Sequence, residues 1–124
     1  LDVIEARDGT LWISTAGGLC RMDKRTGRVT SYRVDPKPGN EWDAGNQLLE
    51  DRAGTIWMGS SRGLVRFDPR LHRLRLYPSP ARYGSVQCLR EDRFGRFWAG
   101  TEGGLCRFDP ATGRFGAFPV PYTL

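Results

Sequence analysis

Short apolar stretches alternate with turn-forming residues along the whole chain. In its last third these stretches are Val86 to Glu91, Arg96 to Thr101, Leu105 to Phe108 and Phe115 to Phe118. Each has the length of a β-strand and is bounded by glycine, proline or aspartate, the residues that favour tight turns. The pattern predicts four antiparallel strands in succession, joined by short hairpins.

The same arrangement occurs three times. Trp12, Trp57 and Trp98 recur at intervals of roughly 40 to 45 residues, a spacing typical of a repeat built from one four-stranded unit. Each tryptophan follows a glutamate by seven positions and precedes an aspartate by eleven. These acidic residues are Glu5, Glu50 and Glu91 before the tryptophans, and Asp23, Asp68 and Asp109 after them. A register kept in three copies predicts equivalent units in which all nine residues have structural roles.

The stretch around each tryptophan is apolar at consecutive positions, as in Leu11, Trp12 and Ile13. Such a strand is covered on both faces, because a half-exposed strand would alternate apolar and polar residues. Four antiparallel strands between two neighbouring sheets are typical of a β-propeller blade. We therefore predict one all-β, propeller-type domain. Its predicted parts are blade 1 at residues 1–34, an inter-blade loop at 35–45, blade 2 at 46–78 and blade 3 at 79–124.

The clearest copy of the motif, EDRFGRFWAGTEGGLCRFDPATGRF at residues 91–115, resembles the two-component regulator propeller repeat. The resemblance implies a blade from the periplasmic sensor region of a bacterial signalling receptor, such as a histidine kinase, a hybrid sensor or a diguanylate cyclase. It also implies signal transduction, often with carbohydrate-related ligands. The other copies depart from the family pattern at Ser14, at Lys24 and at Leu71-His72, which replaces Thr-Gly. None of these departures disrupts the predicted strands.

Charge and composition narrow the possible partners. The chain has 124 residues and a formal net charge of +5. Its arginines are scattered singly through strands and turns, without a basic helix or stacking platform, so we expect no nucleic-acid partner. No stretch approaches the roughly 20 apolar residues of a membrane-spanning helix, so we expect no membrane insertion in this segment.

Metal and cofactor sites are not expected either. The chain has three cysteines, Cys20, Cys88 and Cys106, and a single histidine, His72. No C-x-x-C motif occurs, and the ligand count is too low for zinc or haem. We predict no cofactor, and we interpret the cysteines as small buried apolar residues.

Ligand contacts are expected where the inter-blade loops and the second hairpin of each blade meet at one end of the sheets. The candidates on these loops are Trp42, Asp43, Arg62, Tyr83 and Glu102. Trp42 belongs to no repeat position and lies next to Asp43, so its ring could stack on a sugar while the carboxylate binds hydroxyl groups. Alternatively, Trp42 packs its own loop onto the blade. A carbohydrate-type ligand is therefore one hypothesis for this end.

Catalysis is not predicted. The repeated glutamates lie once per unit beside a turn, which favours a role as acceptors of backbone amides. The arginines two positions before each repeated aspartate favour ion pairs within a blade or a solvated edge. Residues 28–32 and 114–121 are similar to blades of streptogramin lyases, which would need a general base at the axial mouth. The only histidine, His72, falls instead in the turn between the third and fourth strands, at the outer rim of the propeller and away from its mouth, so we predict that the chain is not an enzyme.

Three blades are fewer than the four to eight of most propellers and would leave two apolar sheet faces uncovered. One hypothesis is a ring closed by a homodimer or homotrimer. The alternatives are the rest of a parent receptor as the partner, or a purely structural, self-assembling fragment. A periplasmic or other extracytoplasmic location follows from the family resemblance alone.

Overall fold

The computed structural model describes residues 2–33 and 45–118, which form three four-stranded antiparallel sheets. Blade 1 contains β1 (Asp2–Glu5), β2 (Leu11–Thr15), β3 (Gly18–Met22) and β4 (Val29–Tyr32). Blade 2 contains β5 (Gly45–Glu50), β6 (Ile56–Ser60), β7 (Gly63–Asp68) and β8 (Arg73–Pro78). Blade 3 contains β9 (Val86–Glu91), β10 (Phe97–Thr101), β11 (Gly104–Asp109) and β12 (Arg114–Ala117). The predicted all-β class is confirmed.

Strands pair with their chain neighbours within each blade, so every sheet follows the order of the sequence. This order arises because each connection is a short hairpin, which can only join adjacent antiparallel strands. In blade 2, the Trp57 position on β6 pairs with Leu49 on β5 and with Arg66 on β7. No helix in the described ranges is long and apolar enough to cross a membrane.

The apolar core lies between the blades and not within one sheet. One cluster joins blades 1 and 2, and a second cluster joins blades 2 and 3. The first contains Ala6, Trp12, Leu19, Tyr32, Leu48, Ile56, Met58, Val65, Phe67 and Leu74. The second contains Trp57, Leu64, Tyr77, Tyr83, Val86, Leu89, Phe97, Ala99, Cys106 and Phe108. Blade 2 therefore contributes one sheet face to each cluster, which is why β6 is buried at all five positions.

Each interface has an aromatic centre. The ring of Phe67, from blade 2, lies 4.8 Å from Trp12 and 4.8 Å from Tyr32 of blade 1. In the next interface, Phe108 of blade 3 lies 5.5 Å from both Trp57 and Tyr77 of blade 2. These tilted and edge-on arrangements are the geometries that aromatic pairs prefer. The repeated tryptophan is therefore half of a socket that receives a phenylalanine from the following blade.

A small residue after the tryptophan stretch allows the sheets to approach closely. A Cβ on Gly59 of β6 would lie 2.6 Å from the carbonyl oxygen of Val86 on β9. In blade 1 the equivalent Ser14 is completely buried, and its Oγ donates a 2.7 Å hydrogen bond to the Asn46 carbonyl. The close approach places the first strand of blades 2 and 3 against the second strand of the preceding blade.

Candidate functional site

The loop at residues 79–85, between blades 2 and 3, connects two hairpin turns at one end of the sheets. The amide of Ser79 donates to the carbonyl oxygen of Arg62, on the β6–β7 turn, at 3.1 Å. The amide of Glu102, on the β10–β11 turn, donates to the Ser85 carbonyl at 3.1 Å. A third bond joins the Gly103 amide to the Tyr83 carbonyl at 2.9 Å. The loop and both turns therefore form one hydrogen-bonded surface, which we call the loop rim.

Two predicted ligand contacts lie on this rim with exposed side chains, Arg62 and Glu102. The Glu102 carboxylate accepts a 3.3 Å hydrogen bond from the Ser85 amide, so its position is partly fixed. The residue as a whole is exposed. Trp42 and Asp43 lie outside the described residues.

Tyr83 is placed differently from the other candidates. Its ring is only 5% exposed and packs in the cluster between blades 2 and 3. Its hydroxyl is buried and has no hydrogen-bond partner among the described residues. Nearby, burial raises the pKa of the Cys106 thiol, which the Thr101 hydroxyl approaches at 3.9 Å. In this structure Tyr83 supports the loop rim from below and offers little surface to a ligand.

The repeated glutamates join neighbouring blades at the opposite end of the sheets. Glu50 Oε1 accepts from the amide of Arg7 at 3.0 Å, across the blade 1–2 interface. Glu91 Oε1 accepts from the amide of Arg52 at 2.8 Å, across the blade 2–3 interface. We call this repeated contact the inter-blade clasp. Glu50 and Glu91 therefore accept hydrogen bonds from backbone amides, as predicted. The amides belong to the preceding blade, however, and not to the turn beside each glutamate.

The arginines of the clasp strengthen it through their side chains. Arg7 donates from a terminal guanidinium nitrogen to the carbonyl of Asp51 at 2.6 Å, and Arg52 donates to that of Asp92 at 2.9 Å. Arg7 Nε also lies 3.5 Å from the Glu50 carboxylate. An arginine stands two positions after every repeated glutamate, and this register is the signal from which the clasp arginines could have been predicted.

The repeated aspartates act within turns. Oδ1 of Asp23 accepts from the Arg25 amide at 2.8 Å, and Oδ1 of Asp109 accepts from the Ala111 amide at 3.0 Å. Asp68 accepts from two amides of its turn, and these bonds lower its pKa against the opposing effect of desolvation. Each aspartate therefore stabilises the hairpin between the third and fourth strands.

The arginines two positions before those aspartates do not form the ion pairs that were one interpretation of the sequence. In the described residues, the ion pairs are Arg7 with Glu50, Lys24 with Glu5, and Arg96 with Asp92. Arg21 lies instead over aromatic rings, 5.7 Å from Trp12 and 5.9 Å from Phe67. The reason is geometric: the arginine and the tryptophan pair across adjacent strands and share a sheet face.

A second carboxylate supports the tryptophans of blades 2 and 3. The indole Nε1 of Trp57 donates to Asp51 at 2.9 Å, and that of Trp98 donates to Asp92 at 2.9 Å. Blade 1 has Ala6 at this position and lacks the bond. The Trp98 hydrogen bond is the main cause that lowers the Asp92 pKa; desolvation opposes it, and bonds from Arg96 and Phe94 add to the lowering.

Acid should therefore weaken the fold through Asp92. Because the pKa of Asp92 is depressed in the folded chain, the contribution of its carboxylate to the free energy of unfolding is complete above the unfolded pKa of about 4 and is lost progressively as the pH falls below that value. We expect Asp92→Asn to be less stable than wild type at pH 7 and the difference to shrink by pH 3. Urea unfolding at both pH values, followed by far-UV circular dichroism, measures this. An equal difference at both would contradict it.

The described part of the chain was also searched for potential metal ligands and for the position of its histidine. Within residues 2–33 and 45–118, no group of three histidine, cysteine or carboxylate side chains could hold a metal ion. His72 is exposed in the β7–β8 turn, at the end opposite the loop rim, where it adopts a φ of 50°. It occupies the place of a turn glycine in the other blades.

Comparison with known proteins identifies the repeat. Residues 82–103 match the family model described as two component regulator propeller, which confirms the resemblance seen in the motif. The match includes β9, β10 and the β10–β11 turn. No curated protein sequence matches the chain.

Solved structures confirm the fold. The chain matches the extracellular domain of a protein described as a hybrid two component system from B. thetaiotaomicron, with a TM-score of 0.71 and 23% identity. The match covers 92% of this chain and 16% of that one. Two structures of the extracellular domain of another B. thetaiotaomicron system, described once as hybrid two component and once as one component, have TM-scores of 0.75 and 0.70.

Those two matches have 23% and 24% identity, cover 91% and 86% of this chain, and each cover 15% of the other chain. At such identities the likeness shows a shared fold. The chain thus spans about one sixth of the length of these similar proteins.

Proposed function

We propose that this chain, whose residues 82–103 carry the two-component regulator propeller repeat, is part of a non-catalytic sensor propeller outside the cytoplasm of a bacterium. The fold is shared with extracellular domains of signalling systems, which supports both the sensory role and the location. The propeller would supply a rigid frame, and its loops would carry the specificity.

The loop rim is the observation that carries the proposal. Residues 79–85 tie the turns bearing Arg62 and Glu102 into one surface through three backbone hydrogen bonds. A pre-formed surface loses little conformational entropy on binding, which favours recognition of a ligand. One exposed cation and one exposed carboxylate give it both donors and acceptors.

We propose a carbohydrate as the ligand class. Arg62 donates and Glu102 accepts, which suits the hydroxyl groups of a sugar. The 35–45 loop would add the ring of Trp42 and the carboxylate of Asp43, giving the apolar face that sugars stack on. An interaction with another protein is the competing role for the same surface.

Calorimetric titration with short oligosaccharides from starch, xylan, pectin and heparin tests the ligand class. We expect one of these fractions to bind, and Trp42→Ala and Glu102→Gln each to weaken it roughly tenfold or more. Leu71→Ala, which changes an exposed residue in the β7–β8 turn at the other end of the sheets, is the matched control and should bind normally. Failure of all four fractions to bind, or equal binding by all variants, would contradict carbohydrate sensing at the rim.

The proposed function also implies a partner that covers the outer faces of blades 1 and 3. Three blades bury two inter-blade interfaces and leave two sheet faces without a neighbouring blade in the described residues. In a receptor, further blades would cover these faces. For this chain by itself, copies of the chain would do so by closing a ring, as a dimer or trimer.

A further inference from the structure

A cavity of about 240 Å³ lies between blades 1 and 2, at the end of the sheets that carries the inter-blade clasp. Its walls come from the β1–β2 and β5–β6 turns and from the ends of the strands beside them. A single water needs only roughly 10–15 Å³ of such space, whereas most ligand pockets have about 300–1,000 Å³. The cavity is therefore large enough for an organic molecule of a few heavy atoms.

The cavity lies where blade 1 differs from the other two blades. Six positions before the repeated tryptophan, blades 2 and 3 have Asp51 and Asp92, whereas blade 1 has Ala6. Each of the two carboxylates accepts a hydrogen bond from the indole of its own blade at 2.9 Å. Ala6 and Trp12 both line the cavity. The cavity thus includes the space that an aspartate carboxylate takes up in blades 2 and 3.

The indole N–H of Trp12 is a buried donor beside this space. Trp12 is 5% exposed, and its ring packs against Tyr32 and Phe67 in an arrangement similar to that of Trp57 with the equivalent rings of its own interface. The two indoles therefore share an orientation, in which Nε1 of Trp12 points to the side of Ala6. Among the described residues Nε1 has no hydrogen-bond acceptor. A buried donor without a partner is unfavourable, so an acceptor placed in the cavity would be stabilised.

A cation and an anion also line the cavity. The Arg21 guanidinium lies 5.9 Å from the ring of Phe67, and within the described residues it donates no hydrogen bond. Asp8 accepts from the Thr10 amide at 2.9 Å through Oδ1, which leaves further acceptor positions on the carboxylate. The bonds from the amide and hydroxyl of Thr10 lower the pKa of Asp8, with a smaller effect of Arg21, against the opposing effect of desolvation. The Asp8 carboxylate is therefore ionised at neutral pH.

The charges around the cavity balance each other. Glu50 is the other acid on its wall, but the Glu50 carboxylate is already paired with Arg7 in the clasp. Among the described lining residues this leaves one cation, Arg21, and one anion, Asp8. A simple anion would be repelled by Asp8, and a simple cation by Arg21. A ligand that carries both charges can make a charge-assisted hydrogen bond with each of them.

We propose that this cavity binds a small zwitterionic amino acid. Its carboxylate accepts from the Trp12 indole and the Arg21 guanidinium, and its ammonium group donates to Asp8. Blades 2 and 3 support the first contact, because each holds a carboxylate on the equivalent indole. The cavity volume favours a small side chain, as in glycine, alanine or serine. This site lies at the opposite end of the sheets from the loop rim, and it does not depend on the carbohydrate binding proposed there.

Calorimetric titration with glycine, L-alanine and L-serine tests the site. Acetate supplies the carboxylate alone, ethylamine the ammonium group alone, and D-glucose neither of them. We expect at least one of the three amino acids to bind roughly tenfold or more tightly than each of these comparison compounds. Failure of all three amino acids to bind at millimolar concentration would overturn the proposal, as would equal or tighter binding of acetate, ethylamine or D-glucose.

Two substitutions in the cavity wall separate the two contacts. Ala6→Asp gives blade 1 the carboxylate that blades 2 and 3 have, so it should compete for the Trp12 indole and weaken amino-acid binding at least tenfold. Asp8→Asn keeps an oxygen for the Thr10 amide but removes the charge that faces the ammonium group. It should weaken the amino acid roughly tenfold without weakening acetate, which lacks that group.

Asp23→Asn is the matched control. Like Asp8, Asp23 is exposed at a turn of blade 1 and accepts the amide two positions later, at 2.8 Å, but it does not line the cavity. We expect this variant to bind the amino acid as wild type does. Far-UV circular dichroism confirms that each variant folds, and Asp8→Asn decides the outcome if Ala6→Asp does not. Wild-type affinity in Asp8→Asn or in a folded Ala6→Asp chain, or an equal loss in Asp23→Asn, contradicts the assigned site.

Discussion

Replacing Trp57 by alanine is expected to remove about 3–5 kcal/mol from the free energy of unfolding, the usual cost of truncating a buried aromatic residue. Trp57 is 2% exposed, and its ring centroid lies 5.5 to 5.7 Å from those of Phe108, Phe97 and Tyr77. The substitution also leaves the buried Asp51 carboxylate without the indole donor. Since small domains are stable by only about 5–15 kcal/mol, this loss is a large part of the total, and the variant should unfold at a much lower urea concentration than wild type.

The matched control is Trp98→Ala. Trp98 has the same repeat position and the same hydrogen bond to an aspartate, but it is half-buried, and within residues 2–33 and 45–118 Phe118 is the only aromatic ring that it packs against. We expect less than half the loss seen for Trp57→Ala. Urea unfolding followed by far-UV circular dichroism measures both at a concentration where the chain is monomeric. Equal losses would show that the following blade adds nothing to the stability of the tryptophan stretch.

Alanine at Gly63 is expected to destabilise the chain by at least about 2 kcal/mol, because strain and overpacking each cost about 1–3 kcal/mol. Gly63 has a φ of 141°, a conformation that residues with a side chain rarely adopt. A Cβ there would overlap the carbonyl oxygen of Tyr77 and lie 2.7 Å from the amide nitrogen of Ser79. That amide donates to the carbonyl of Arg62, so the loop rim should loosen as well.

The equivalent glycine of blade 3 separates the two contributions. Gly104 has a φ of 121°, but a Cβ there meets no atom within 4 Å. Gly104→Ala should therefore lose only the strain component and remain more stable than Gly63→Ala. Unfolding curves give the two losses, and amide hydrogen exchange at Ser79 reports the rim, which should exchange faster only in Gly63→Ala. If both variants lose the same stability, steric overlap at Gly63 is not the cause.

Blade 3 illustrates how far the strands could be predicted. The stretch predicted at Val86 to Glu91 is β9, and the other three predicted stretches differ from β10, β11 and β12 by one residue at their ends. These elements are local, since each depends on an apolar run and on turn residues within a few positions of it. The candidate site is less local: the turns of Arg62 and Glu102 belong to one surface only because residues 79–85 bond to both of them.

The sequence by itself determined the three blades, their strand order and the equivalence of Trp12, Trp57 and Trp98, because hairpins and apolar runs are properties of neighbouring residues. The tertiary structure decided which of the equivalent side chains are buried. The interpretation of all three cysteines as buried is wrong in part, since Cys106 is buried, Cys20 is half-buried and Cys88 is exposed. Trp57 and Trp98 stand in nearly the same local sequence, yet one is enclosed by a following blade and the other is not. Tyr83 belongs to a loop but fills the space between two sheets, and Glu50 accepts an amide from the preceding blade. Burial and such contacts depend on packing between distant segments, which a repeat pattern does not encode.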